Sequence, residues 1–147
     1  MSSVLLALQE ELAARLAADP LFAAVPVLTE RERNLNYEVQ RQVDSLGVVC
    51  LVLTPEAGVR HPEAPGPYLD QIAVTIRVQE NVELNSGPHA LEVAERAAAL
   101  LHQFQPGAIA ETLFAAAKTI VRQNDESLLT YDVCLETRDG FAKGETL

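Results

Sequence analysis

The sequence is poor in aromatic residues and in positive charge. It has no tryptophan, 5% aromatic residues, and 11 lysines and arginines against 21 aspartates and glutamates, so its formal net charge is −10. Proteins hold nucleic acids through basic side chains that displace counterions, and this composition therefore argues against a domain that grips DNA or RNA. An acidic surface can nevertheless stand beside DNA, because its field lets a polyanion pass without sticking.

Cysteine and histidine are too few and too scattered to suggest a metal site. Cys50 and Cys134 lie in apolar runs that predict strands, where a free cysteine is typically a small buried hydrophobe. A disulfide between them would require neighbouring strands with matched geometry. The histidines His61, His89 and His102 lack the spacing of helical metal ligands, and the sequence has no CxxC motif. We expect no metal.

Motifs for catalysis or cofactor binding are missing too. The sequence contains no GxSxG nucleophile elbow, no Walker-type phosphate loop and no GxGxxG. Adjacent carboxylates occur at Glu10 and Glu11 and at Asp125 and Glu126, but the first pair is expected on a solvated helix and the second in a turn. We predict that the chain is not an enzyme, has no catalytic residue and binds no cofactor.

Long hydrophobic runs and a basic leader are also absent. Residues 1–8 carry no positively charged side chain of the kind that begins a secretory signal. The longest apolar stretches are far shorter than the about 20 residues needed to cross a membrane. We expect a soluble protein that is made in a cytoplasm and has no membrane partner.

The patterns that are present predict one α+β domain. The predicted helices are 3–18 and 88–104, and the predicted strands are 25–29, 48–54, 70–79, 112–123 and 127–137. The alternating strands favour a mainly antiparallel sheet of about five strands with two helices packed on one face. A single domain is expected over residues 1–138, followed by a polar C-terminal tail at 139–147.

Proline, glycine and alanine refine the expected boundaries. Pro26 marks the first strand as an edge or a strand start. Gly87 is expected to cap the second helix, with Pro88 in its first turn. The alanine-rich stretch 113–117 has the composition of a helical turn, although it begins a predicted strand.

Two segments between the strands carry the candidate contact residues. Residues 30–45 have no clean period and predict a loop, with room for a short helix at 37–43. Their mixed charges suit ion pairs between protein surfaces, and a plain solvated loop is the alternative. Residues 55–69 form a long loop at the tip of a hairpin, where proline and glycine exclude regular structure. The candidate interface residues are Arg31, Arg33, Tyr37, Arg41, Arg60, His61 and Tyr68.

An open sheet in so small a domain also leaves edge strands. Unpaired edges are usually either blocked or used for pairing. A homo-oligomeric ring would use them, because the edge or loop of one subunit can dock head-to-tail on the next.

The order, length and pattern of these elements resemble the tail terminator (tail completion) proteins of tailed bacteriophages and related phage-like particles. The likeness spans residues 3–138 and involves no signature motif. The segments that carry it are "LLALQEELAARLAADP", "VPVLT", "VVCLVLTPE", "DQIAVTIRVQE", "GPHALEVAERAAALLHQF" and "LLTYDVCLETRDG".

This resemblance implies an α/β sandwich that assembles as a hexameric ring on the last ring of tail-tube subunits. Such a ring stops tube growth and offers a docking surface to the head–tail connector and neck proteins, while DNA passes through its lumen. The expected partners are further copies of the chain, the tail tube protein and neck proteins, and the expected location is the tail–neck junction of the virion, assembled in the host cytoplasm. The family has no catalytic residues to transfer.

Two other functions stay open at the level of sequence. A head–tail connector or other neck protein shares the size and the charge of this chain. A small non-viral ligand-binding domain or enzyme would need a pocket with convergent polar groups, which the sequence does not indicate.

Overall fold

A computed structural model describes residues 3–59, 69, 71–109, 112–123 and 128–137. The helices are α1 Val4–Ala17, α2 Leu35–Leu46 and α3 Ala90–Leu101, with a short 3-10 helix at Pro20–Ala24. The strands are β1 Val27–Thr29, β2 Val48–Gly58, β3 Gln71–Glu80, β4 Leu113–Gln123 and β5 Leu129–Thr137. They form one five-stranded sheet in the order β1-β2-β3-β5-β4. The predicted α+β class is confirmed.

The sheet is mostly antiparallel, as expected. β2 pairs antiparallel with β3, and β5 lies between β3 and β4 with antiparallel pairing on both sides. Both predicted hairpins are therefore present. β1 is the exception, since it runs parallel to β2 and lies at the edge of the sheet. The position of Pro26 just before it fits that edge, because proline cannot donate to a central ladder.

One face of the sheet is apolar and carries α1 and α3. The side chains at alternate positions of β3, from Ile72 to Val78, point into this core together with those of β2 and β5. α1 contributes three fully buried leucines at helical spacing, and α3 packs closely because alanines form much of its buried face. These residues of the helices are Leu8, Leu12, Leu16, Ala90, Val93, Ala94, Ala97 and Leu101.

The opposite face carries α2, which corrects two expectations. The described residues contain three α-helices, one more than predicted, and only α1 and α3 share a face. Val43 of α2 is buried, as are Val49 and Leu51 of β2, which lie on the face away from the core. This explains why β2 begins as a continuous apolar run: its first residues are covered on both faces.

The predicted loop at 30–45 is corrected by α2, which occupies Leu35–Leu46: the short helix allowed at 37–43 is present and extends further at both ends. Leu35, Val39 and Val43 recur every fourth residue and form one narrow apolar stripe, which is enough to dock a helix on β2. The helix ends at Gly47, whose φ of +83° lies in the left-handed region. A Cβ there would come within 2.5 Å of the Asn85 backbone nitrogen, so only glycine fits.

Three smaller boundaries also differ from the predictions. β2 continues to Gly58 instead of ending at residue 54. Its register with β3 shifts between Leu53 and Glu56. This irregularity contains Pro55, which has no N–H to donate to the ladder. α3 begins at Ala90 with His89 as its N-cap, so Gly87 is not the cap.

Residues 113–117 are strand and not a helical turn, because pairing with β5 outweighs the helix propensity of alanine. The rest of the predicted loop up to residue 68, and the tail at 139–147, lie outside the described residues.

The two cysteines are free and far apart in the sheet. Cys50 is fully buried on the core face, as expected, and burial raises the pKa of its thiol to about 12. Cys134 is only half-buried and lies on the face away from the core, where it is the register partner of Thr75. Because β3 separates β2 from β5, the two thiols do not meet the geometry of a disulfide.

Candidate subunit interface

The segment that follows β1 is fixed at its start by a small polar network. Gln9 of α1 is buried, and its Nε2 donates to Glu30 Oε1 and to Thr54 Oγ1, each at 2.9 Å. The Glu30 amide donates back to Gln9 Oε1 at 2.9 Å, and the Thr54 amide donates to Glu30 Oε1 at 3.1 Å. These hydrogen bonds join α1, β2 and the residue after β1, so the following segment leaves the fold from a rigid point.

Arg31 is exposed but already has an acidic partner. Its Nε donates to Glu10 Oε1 of α1, and both side chains are about half exposed. An ion pair in such a position contributes little to stability, because water and salt screen it. It does fix the direction of the segment against α1.

The outer side of α2 carries Tyr37 and Arg41, four residues apart and therefore on one side of the helix. Tyr37 is 66% exposed, which is unusual for so large a side chain with no cover. Arg41 donates to Glu38 Oε2 from Nη2 at 2.8 Å and from Nε at 3.1 Å. This hydrogen bond and the charge of Glu38 raise the pKa of Arg41 above its ordinary value.

Arg33 lies between two neighbouring grooves. The first, with a volume of about 540 Å³, runs beside β1 and is lined by residues 27–29 and 31–34. The second is lined by residues 33–37 and therefore includes Tyr37. Among the described residues Arg33 has no ion-pair partner. Of the four predicted contact residues that the structure describes, Arg33 and Tyr37 are thus the two that form no ion pair with a described residue.

The seven predicted interface residues divide into two groups. Four of them, Arg31, Arg33, Tyr37 and Arg41, lie in α2 or in the segment before it. Arg60, His61 and Tyr68 lie outside the described residues, so their part of the prediction stays a prediction.

A polar cluster on the second face of the sheet was not predicted from the sequence. Arg77 of β3 donates to the Asp132 carboxylate of β5 from Nε at 2.8 Å and from Nη2 at 2.9 Å. Gln123 of β4 adds a third donor, from Nε2 to Asp132 Oδ2 at 3.0 Å. The Asp132 side chain is only 7% exposed, and the hydrogen bond to it raises the pKa of Arg77. The alternation of apolar and polar residues predicts that these side chains lie on the face away from the core. Predicting that they contact one another would also have required the order of the strands in the sheet.

A groove of about 370 Å³ separates α2 from this second face. It has apolar walls and amide groups, with Arg77 on its floor. The lining residues are Leu35, Asn36, Val39, Gln40, Leu51, Leu53, Arg77, Gln79 and Leu128. None of the described residues that line it is a carboxylate.

Two searches of the described residues gave no site. No group of three or more His, Cys, Asp or Glu side chains within the described ranges could hold a metal ion. None of the helices in the part of the chain that the structure describes is long and apolar enough to cross a membrane.

Comparison with known proteins identifies the fold and nothing finer. No protein-family model and no curated protein matches the chain. One solved structure, whose name describes no function, is similar over 90% of this chain and 91% of its own, with a TM-score of 0.55 and 16% sequence identity. At 16% identity this likeness shows a shared arrangement of helices and strands over nearly the whole chain, and it shows only the fold.

Proposed function

We propose that this protein is a structural virion protein that caps the end of a phage tail tube as a ring. In this role it terminates tail growth and provides the docking surface for the head and neck. The observation that carries the proposal is the exposed, mixed-charge surface of residues 31–41, held rigidly by the Gln9–Glu30–Thr54 network. A rigid surface with an exposed tyrosine and an unpaired arginine is typical of protein–protein contacts, which are rich in both residues.

The charge of the chain supports the same role. A net charge of −10 would make the wall of a ring lumen acidic, and DNA would cross it without being held. The five-stranded, mainly antiparallel sheet with helices on it agrees with the fold that the tail terminator resemblance implies. The proposed partners are copies of the chain, the tail tube protein and neck proteins, and no cofactor is part of the role.

A null mutant of the parent phage tests this proposal against its neighbour in the virion. If the protein ends tube growth, particles without it should carry tails of abnormal and variable length, seen by electron microscopy. Normal tail length together with heads and tails that fail to join would contradict the terminator role and favour a head–tail connector. Complementation with the wild-type gene is the control.

Substitution at the candidate interface tests the part played by residues 31–41. Arg33→Glu combined with Tyr37→Ala should abolish rings on tail tubes while the isolated protein keeps its thermal stability. The control combines Ala14→Glu and Ala99→Glu with Leu91→Ala. It makes the same change in net charge and truncates one exposed large side chain, at exposed positions of α1 and α3. Equal loss of rings in both variants, or in neither, would contradict a specific role for this surface.

A further inference from the structure

The two edges of the sheet differ in length and in charge. Within the described residues, β1 and β4 each pair on one side only, so both present free backbone groups at an edge. β1 has three residues, whereas β4 has 11. A free edge is a template for another strand unless the fold blocks it.

β4 is blocked over one part and open over another. Residues 116–119 have no register partner on β5, and Thr119 Oγ1 donates to the Ala116 carbonyl at 2.8 Å within this irregular stretch. Beyond it Ile120–Gln123 pairs regularly with β5. A bulge twists an edge away from pairing, so the regular end is the part able to accept a strand.

The charge of β4 is opposite to that of the protein as a whole. The strand contains Lys118 and Arg122 and no acidic residue, in a chain with a net charge of −10. Both side chains are exposed, and neither forms an ion pair with a described residue. Exposed cations on an otherwise acidic molecule steer an acidic partner towards this edge.

β1 has an open edge with a groove beside it. The Cys50 amide donates to the Pro26 carbonyl at 2.8 Å, so alternate residues of this parallel ladder, Pro26 and Leu28, face β2. Val27 and Thr29 therefore turn their peptide groups outward, towards the groove of about 540 Å³. The groove wall carries charges of both signs. Glu32 is exposed and has no ion-pair partner among the described residues, and it lies between Arg31, which is paired with Glu10, and Arg33.

We infer that the regular end of β4 in one copy, Ile120–Gln123, pairs with β1, Val27–Thr29, in the groove of a second copy. Pairing β4 with β4 would bring Lys118 and Arg122 of one copy near the same basic residues of the other, and like charges across a strand pair are destabilising. Pairing β1 with β1 would leave the basic edge without a partner. The mixed pairing matches four residues to three and gives both free edges of every copy a partner.

This contact is head-to-tail, since it joins two different surfaces. A heterologous contact repeats from copy to copy and closes into a ring when the rotation permits. The inference rests on the proposed function for its partner, a second copy, and it adds which two strands meet.

Cross-linking of two mixed variants tests the pairing directly. Leu28 and Val121 lie on the α2 side of the sheet in their own copies, since Leu28 is opposite Leu51 and Val121 is opposite Asp132. We would prepare Leu28→Cys and Val121→Cys as separate proteins, each with Cys134→Ala. Cys50 can stay, because its thiol is fully buried. The reagent is a bis-maleimide spanning roughly 8 Å, about the diagonal distance between side chains on paired strands.

The expected result is a cross-linked dimer in the mixture and much less in either variant alone. Dimers of Val121→Cys alone would indicate β4–β4 pairing and overturn the inference. The absence of any dimer would overturn it as well and would indicate that both edges are blocked. The control mixture replaces Leu28→Cys by Ala99→Cys, on the exposed side of α3, and should give no dimer.

Charge variants provide a second readout on the full chain. Lys118→Gln with Arg122→Gln should raise the concentration for half-assembly about tenfold, because the β4 edge loses the two cations that attract a second, acidic copy. Ala99→Glu with Ser45→Glu reaches the same net charge at exposed positions of α3 and α2 and should have a smaller effect. Equal effects of the two variants would mean that general repulsion, and not the β4 edge, controls assembly.

The two proposals fail in different ways. Rings on tail tubes without the mixed cross-link would leave the terminator role intact and overturn the strand pairing. A mixed cross-link in a protein whose null mutant has normal tails would support the strand pairing and contradict the terminator role.

Discussion

The two faces of the sheet come from the same strands and yet differ in almost every property. Along β3, Ile72, Val74, Ile76 and Val78 are buried in an apolar core, while the residues between them are only half-buried. On that second face Arg77 donates two hydrogen bonds to Asp132. The helix α2 covers only the part of this face formed by β1 and β2.

The difference shows how one strand pattern can serve two purposes. The core face excludes water, and its burial supplies most of the free energy of folding. The second face is polar, and Arg77, Asp132 and Gln123 bond to one another there, although Thr130 Oγ1 is buried without a hydrogen-bond partner among the described residues. This face can therefore stay partly open without exposing a large apolar patch. We therefore expect substitutions on the core face to change stability and substitutions on the outer surface around α2 to change assembly.

The largest effect on stability should come from the core face. Ile76→Ala should lower the free energy of unfolding by about 2 to 5 kcal/mol, because it removes a fully buried side chain and leaves a cavity. Thr75→Ala, one residue away on the second face, should cost much less. Denaturant unfolding measures both, and similar losses for the two variants would remove the distinction between the faces.

The next effect should come from a buried carboxylate at the edge of the core. Glu80 accepts hydrogen bonds from the Ala90 amide at 2.8 Å and from Asn85 at 2.7 Å, and its Oε2 lies 3.1 Å from His89 Nδ1. It thereby caps α3. Glu80→Gln places an amide donor against these donors and should cost about 1 to 3 kcal/mol, whereas Glu83→Gln in the exposed turn should be close to neutral.

The same carboxylate gives a pH dependence of known sign. Burial raises the pKa of Glu80, but the hydrogen bonds from Ala90, Asn85 and His89 outweigh it and hold the pKa below its ordinary value of 4.5. Its contribution to stability is therefore complete above about pH 4.5 and is lost as pH falls through the lowered folded-state value. Urea unfolding from pH 7 to pH 3 should show a smaller decline for Glu80→Gln than for the wild type. An identical decline would assign the acid sensitivity to other carboxylates.

A smaller effect is expected from the ion pair of the second face. A double-mutant cycle with Arg77→Leu and Asp132→Asn should give a coupling energy of about 1 kcal/mol, since Asp132 is buried and the pair is bidentate. The exposed Arg31–Glu10 pair should give less, because water screens both groups. A coupling energy near zero for Arg77 and Asp132 would mean that the second face contributes nothing through this pair.

The smallest effect on stability should come from α2. Tyr37→Ala should change the free energy of unfolding by no more than about 0.5 kcal/mol, because the side chain is mostly in water. Any loss of assembly would then reflect a lost contact. A marked drop in melting temperature would show instead that Tyr37 supports the fold and would break the separation between stability and assembly.

The sequence predicted the elements whose pattern is locally strong. α1, β3 and both hairpins followed from apolar spacing, since the core selects those positions directly. α2 was predicted only as a loop with room for a short helix at 37–43, because most of its residues are polar and its apolar stripe, at Leu35, Val39 and Val43, is one residue wide. A helix with so narrow an apolar stripe is hard to distinguish from a loop by sequence alone. It becomes predictable once β2 is known to have an apolar second face that needs a cover.

The interface was less predictable than the fold. The arginines of residues 30–45 were identified by composition. The sequence could not show that Arg31 pairs with Glu10 and Arg41 with Glu38. Nor could it show that Arg77 and Asp132, 55 residues apart, are neighbours. These contacts depend on strand order and register, which no local pattern encodes.

The position of β5 has a consequence for synthesis on the ribosome. It is the last strand of the described chain, yet it lies between β3 and β4 in the sheet. A nascent chain that has emerged only to Gln123 has β2 and β3 but nothing to join β4 to them. We therefore expect folding to wait until Thr137 has left the exit tunnel, and premature stops before that residue to yield chains with bare strand edges that aggregate.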